Sequence, residues 1–357
     1  MELLTLSLLL LLLGLQPPPG SSQFNVENNF RNMQVRLATS PTTASSLHAG
    51  RVEVSFDYGE TWGTICATTW TKREGNVVCR QLGLGYASMA AQSTEFGDSR
   101  EHPWGMVGTR CRGMESKLAQ CFREPSYPTV CNASNRNIST VACVSKSPDL
   151  EIGLVDIEVS AYLANVPMTQ LACAMEENCV SADAYVIRRT NPAGIRKLLR
   201  FSVKASNVGN ADISPYVNYK DWEWHQCHMH FHSMKVFATF DVYNHNYKKI
   251  AQGHKASFCL MDTECNVGVT KKYYCGNTTQ GITAGCADVY SHVLDCQWVD
   301  VTTVPVNQTY ILRVALNPEY MLGEMSFENN GAECKLHYTG DATSTRVSHC
   351  RRMPLWH

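Results

Sequence analysis

Apolar and polar positions change their rhythm several times along the chain. Residues 23 to 49 are polar, rich in Asn, Ser and Thr, and carry no sustained period, which predicts a flexible lead-in. From Gly50 the pattern alternates: Val52, Val54 and Phe56 share one side, Tyr58-Gly-Glu60 turns, and Trp62-Gly-Thr-Ile65 resumes a strand. Glu74, Val77, Val78, Gln81 and Leu82 then recur at helical spacing, with Gly83 placed to stop the helix. Beyond residue 149 short alternating runs dominate: Leu154 to Val159, Leu199 to Val203, Val236 to Phe240 and Tyr310 to Leu316. Breaks such as Asn191-Pro-Ala-Gly194 and Asn207-Val-Gly-Asn210 separate them, and few helical periods compete. The second part is therefore expected to be mainly β, a sandwich with long loops. The stretch from Cys259 to Cys296 has little periodicity, and an aperiodic loop of that length carries function or is held by cross-links.

The N-terminal apolar run, Leu3 to Leu13, is too short to span a bilayer and is followed by Pro17-Pro18-Pro19-Gly20. It reads as a secretory signal over 1–22, although its n-region offers Glu2 and no Lys or Arg. No later segment approaches a membrane span. The 16 cysteines also point to an oxidising compartment. They divide evenly around Ser145-Lys-Ser-Pro148, six before and ten after, so each side can close its own disulfides. That parity marks 145–148 as a linker between a domain at 50–144 and a second at 149–357. Four sequons, at Asn132, Asn137, Asn277 and Asn307, suit an extracellular glycoprotein. A net charge of −1, with no basic run, excludes a chain built around nucleic-acid affinity.

The chemistry concentrates in Trp222-Glu-Trp-His-Gln-Cys-His-Met-His-Phe-His-Ser-Met234, where four of the 12 histidines fall within eight residues. His228, His230 and His232 recur at period two, and three imidazoles crowded on one face call for a metal ion. On an ideal strand the outer two would lie about 13 Å apart, too far for bonds of about 2 Å. The segment must therefore bend. His225 breaks the alternation and is expected to support the site from behind. Spacing alone leaves two chemistries open: zinc activating water, or copper handling electrons and dioxygen.

Three motifs narrow that choice. The histidine segment, Gly253-His-Lys-Ala-Ser-Phe-Cys-Leu260 and Asp295-Cys-Gln-Trp-Val-Asp300 together resemble the catalytic domain of lysyl oxidases, a likeness running from about residue 149 to 350. Upstream, Gly59-Glu-Thr-Trp-Gly-Thr-Ile-Cys66 and Val78-Cys-Arg-Gln-Leu-Gly-Leu-Gly85 resemble a scavenger-receptor cysteine-rich domain with six cysteines. This pairing is similar to the lysyl oxidase-like branch, whose members carry four such domains where this sequence has one. The implied architecture is a small α+β cysteine-rich domain followed by a mainly β, disulfide-stapled catalytic domain.

The resemblance implies a secreted, copper-dependent amine oxidase that turns peptidyl lysine ε-amines into aldehydes. Dioxygen would be consumed, hydrogen peroxide and ammonia released, and collagen or elastin cross-linked in the extracellular matrix. His228, His230 and His232 match the copper ligands, and Lys255 and Tyr290 match the pair that forms the self-derived lysyl tyrosylquinone. Asp288 and Asp295 flank Tyr290 and are the residues considered for the catalytic base; the plainer account makes each an ordinary hydrogen-bonding loop carboxylate. The family's calcium site would use Asp149, Leu150, Glu324, Asn329 and Asn330, with Ser326 standing where the family has an acid. The implied disulfides are Cys66–Cys131, Cys79–Cys143 and Cys111–Cys121, then Cys173–Cys227, Cys179–Cys296, Cys259–Cys275, Cys265–Cys286 and Cys334–Cys350. Two other readings stand beside the oxidase. One is a matrix-binding protein with an inactive catalytic domain. The other is a zinc hydrolase, disfavoured because no Glu follows the histidines in a zincin arrangement.

Overall fold

The computed structural model describes residues 32–39, 48–66, 70–123, 137–215, 219–227, 229–234, 236–256, 259–275 and 279–355. The signal segment, Asn132, Asn277, His228 and Cys131 lie outside the described residues.

In the N-terminal unit, strands Ala49–Ser55, Gly63–Cys66, Tyr86–Ser93, Trp104–Val107 and Ile138–Val144 form a sheet, with Gln34–Ala38 paired antiparallel to Ala49–Ser55. That last strand lies inside the stretch expected to be a flexible lead-in. Its Val35 and Leu37 pack against the core, a short alternation diluted by the polar residues around it. Helix α1 (Lys72–Gln81) crosses the sheet and buries Val77 and Val78. It starts where Thr71 and Glu74 cap each other's backbone N–H groups, and its chain leaves through Gly83 at φ +70°. The second Glu74 oxygen accepts from Cys111 N at 2.8 Å, tying the helix to the Cys111–Cys121 loop.

The second unit is built on two sheets that share one core. The first joins Glu264–Cys265, Cys286–Tyr290, Val203–Asn207 and Leu150–Ile152. The second joins Lys249–Ala256, Ala238–Tyr243, Gln308–Leu316, Gly331–Tyr338 and Arg346–Met353. Ile152, Val203 and Tyr290 from the first meet Phe240, Leu312 and Leu336 from the second in a single buried cluster. Three further strands, Tyr162–Pro167, Ile195–Arg200 and Trp298–Asp300, flank them. The multidomain, mainly β reading thus holds.

Tyr310 to Leu316 is strand, within Gln308–Leu316. Leu199 to Val203 straddles two strands, because Phe201 and Ser202 carry the chain from one sheet to the next. Leu154 to Val159 is not a strand but helix α2 (Leu154–Ser160). Its alternating valines, Val155 and Val159, are 70% and 76% exposed, and only Ile157 is buried. Alternation predicts burial of all three, whereas a helix separates Ile157 from both. Helices α3 (Ala172–Glu176) and α4 (Ala182–Thr190) were not foreseen. Seven disulfides join the partners that the resemblance implied, from Cys79–Cys143 to Cys334–Cys350. Cys66 is also disulfide-bonded, and its expected partner Cys131 lies outside the described residues.

Candidate active site

The histidine segment is a β-hairpin rather than one strand. Glu223–His225 pairs antiparallel with His230–His232, with His225 opposite His230 and Glu223 opposite His232. The chain reverses at Met229, whose φ of +55° is left-handed. The described part of the segment is therefore bent, which brings His225 against His232. Trp224 and Phe231 meet edge to face at 5.0 Å between centroids. The His225 and His232 rings stack at 4.7 Å with planes 9° apart.

Two covalent and polar ties hold this hairpin. Cys227 bonds to Cys173 in α3, and Glu177, at the end of the same helix, brings Oε1 to 3.4 Å from His225 Nε2. Burial, then the charges of Asp295 and Glu176, push the Glu177 carboxyl up to about 7. Asp295 is exposed and precedes Cys296, which is bonded to Cys179. Asp295, Glu177, His225 and His232 thus lie in one neighbourhood, and nothing in the spacing of Glu177 announced it.

Tyr290 ends strand Cys286–Tyr290 and is buried against Phe237, with ring centroids 5.5 Å apart. Its ring lies beside the Asp288 carboxylate on the same strand. Asp288 accepts from Met261 N at 2.9 Å and from Thr263 Oγ1 at 2.8 Å. Burial, against the pull of these donors, raises Asp288 to about 6, and burial first, with the Asp288 charge after it, drives the phenol well above its usual range. Asp288 is therefore a buried strand residue, not a loop carboxylate.

The described part of the Cys259–Cys296 stretch is held by cross-links, as its length and lack of period suggested. Cys259–Cys275 and Cys265–Cys286 staple it, and Asp262 gathers Lys272 N, Tyr273 N, Thr283 N and Thr283 Oγ1. Gln280 then donates from Nε2 to Phe231 O at 2.7 Å, joining this stretch to the histidine hairpin. Lys255 lies on strand Lys249–Ala256, opposite Thr239. The register slips just before it, since Gln252 is opposite Asp241, leaving Gly253 and His254 to face Phe240 alone. Gly253 suits that bulge: a Cβ there would stand 2.1 Å from Phe240 O.

A second polar cluster lies where the domain begins. Glu324 is fully buried; it accepts from Leu150 N at 2.7 Å, Asn317 Nδ2 at 2.6 Å and Asn330 Nδ2 at 2.8 Å. Asp149 accepts from Ser326 N at 3.2 Å and is hydrogen-bonded to the Asn329 side chain. Burial raises Glu324 to about 8 and Asp149 to about 6. The amide oxygens of Asn329 and Asn330 are buried and accept no hydrogen bond from any described residue. Two carboxylates and two amide oxygens are donors of the kind a hard cation such as calcium takes, even with Ser326 in place of an acid. Three other groupings of acid and cysteine sulfur, around Cys111, Cys179 and Cys265, involve disulfide sulfurs and offer no thiolate.

Two family models match the chain. The lysyl oxidase family model matches residues 148–350, and the scavenger receptor cysteine-rich domain model matches 42–144. Lysyl oxidase homolog 2A of Danio rerio is 44% identical over 296 residues, covering 82% of this chain and 40% of that protein. Lysyl oxidase homolog 4 of Homo sapiens is 42% identical over 321 residues, covering 88% of this chain and 41% of that protein. The chain thus spans about two fifths of the length of these relatives. Among solved structures, the third such cysteine-rich domain of murine neurotrypsin is 33% identical, covering 31% of this chain and 95% of that one, with a TM-score of 0.26.

Proposed function

Because this chain belongs to the lysyl oxidase family, we propose that it is a secreted, copper-dependent protein-lysine 6-oxidase acting on collagen- or elastin-like matrix. The net reaction converts R–CH2–NH2, dioxygen and water into R–CHO, ammonia and hydrogen peroxide. The observation that supports it best is the Gln280 bond to Phe231 O, which ties the stretch leading into Tyr290 to the histidine hairpin.

The residues present suit the groups this reaction needs. His228, His230 and His232 would supply three imidazole donors, a donor set fit for copper. When bound, copper with dioxygen and a quinone made from Tyr290 and Lys255 supply the electron chemistry. Asp288 sets the electrostatic surroundings of the Tyr290 hydroxyl, its charge opposing loss of the phenol proton. Asp295, exposed beside the hairpin, gives it a negative flank that favours approach of a lysine ammonium, with Glu177, at about 7, adding only part of a charge. Of the two carboxylates considered as base, Asp288 is buried beside Tyr290, while Asp295 is open to a substrate. The Asp149–Glu324 cluster would hold calcium away from this centre.

The test is a peptide map of secreted, copper-loaded protein together with peroxide release from lysine-rich peptides. A Lys255–Tyr290 cross-linked peptide is expected, and Lys255→Arg and Tyr290→Phe, though folded, should yield neither cross-link nor peroxide. Arg keeps the charge but supplies no free amine, and Phe lacks the phenol oxygen. Peroxide release by Tyr290→Phe would overturn the reading.

A further inference from the structure

One face of α1 is committed to the other unit. Asn76 is fully buried there and spends both ends of its amide: Oδ1 accepts from Ala87 N at 2.8 Å, and Nδ2 donates to Glu324 O at 2.8 Å. Beside it, Lys72 Nζ donates to Met321 O, and the Arg73 guanidinium lies 4.2 Å from the Tyr320 ring centroid. Gly323 comes so near the Ala87 strand that an added Cβ would be 2.6 Å from Ala87 O. The segment thus clasped, 317–325, carries Glu324, whose side chain turns inward to Leu150 N, Asn317 and Asn330. Glu324 therefore faces the cysteine-rich domain with its backbone and the cation cluster with its carboxylate.

We propose that the cysteine-rich domain is a working part of the cation site: Asn76 is a positioning residue for Glu324, and cation binding and docking of α1 are coupled. This rests on the calcium reading of the cluster given above. A buried amide that bonds both to its own sheet and to the ligand's backbone fixes where the carboxylate points. Outer partners of this kind set metal affinity by tenfold or more when removed. By linkage, whatever docking adds to cation affinity the cation must return to docking, in the same factor.

The experiment uses the full secreted chain and calcium as the probe. Calorimetric titration gives the affinity, and hydrogen exchange with and without calcium reads 72–81 and 86–93. Wild type should bind, and calcium should slow exchange in both segments although neither contributes a ligand. Asn76→Ala should bind about tenfold more weakly, and Lys72→Met, which keeps the apolar stem, should weaken binding in the same direction. Calcium binding with unchanged affinity in folded Asn76→Ala and Lys72→Met, or exchange in 72–81 indifferent to calcium, would overturn the coupling while leaving the cation site standing. Absence of any calcium binding by wild type would overturn both.

Discussion

Asp288 and Glu177 are carboxyls lifted above their ordinary range by burial, yet their neighbours differ. At Glu177 the charges of Asp295 and Glu176 add to the lift, whereas at Asp288 hydrogen bonds from Met261 N and Thr263 work against it. Asp288 therefore gives the cleaner pH prediction. Its folded value of about 6 stands above the ordinary 3.8, so the fold prefers the protonated carboxyl. The stability this contributes is complete below about pH 4 and is lost as pH rises through about 6. In metal-free protein, the stability of wild type relative to Asp288→Asn should fall by about 2 kcal/mol between pH 4 and 7. Denaturant titrations of the two at each pH check this, because every other group titrates alike in both. A difference that stays flat across that range would mean that Asp288 is ionised throughout, held so by its donors.

The hairpin is the element where sequence reasoning went furthest and where it stopped. The need for a bend was legible, since it follows from bond lengths and the rise of a strand. The position of the bend was not, because Met229 carries no turn signal. His225 was legible as an outsider to the alternation, but its stacking on His232 depends on a cross-strand diagonal that spacing does not encode. Helix α2 escaped for the opposite reason: its exposed valines imitate a strand. The disulfides could be paired only through the family likeness, as connectivity is not written in spacing. From this element follows a metal prediction. His232→Ala and His230→Ala should lose copper during dialysis against a chelator, as each removes a nitrogen from the set. His225→Ala removes only the ring stacked on His232 and the neighbour of Glu177, so copper should be retained with affinity lower by roughly tenfold. Metal analysis of the three dialysed proteins decides, and wild-type copper content in His232→Ala would dismiss it as a ligand.

At the scale of the molecule, the cross-links and the contacts between halves follow different rules. Every described disulfide closes within 50–144 or within 149–357. Across the boundary the joints are the chain itself and non-covalent contacts, with α1 clasping 317–325. The chain at the boundary is only partly free. Ser145 and Lys146 are exposed, while Ser147 N donates to Asn210 Oδ1 at 2.9 Å and Ser147 O accepts from Asn210 N at 3.1 Å. A protease site inserted after Lys146 should therefore be cut without disturbing either fold. The nicked protein should separate into two fragments in denaturant without reductant, because no described bridge joins them. In native buffer it should elute as one species, since Asn76, Lys72 and Arg73 still hold the second half. Fragments that stay together in denaturant until reductant is added would place a disulfide across the boundary, most directly at Cys66, and would refute the division at 145–148. Fragments that part in native buffer would instead show that the clasp around Glu324 is too weak to dock the halves without the linker.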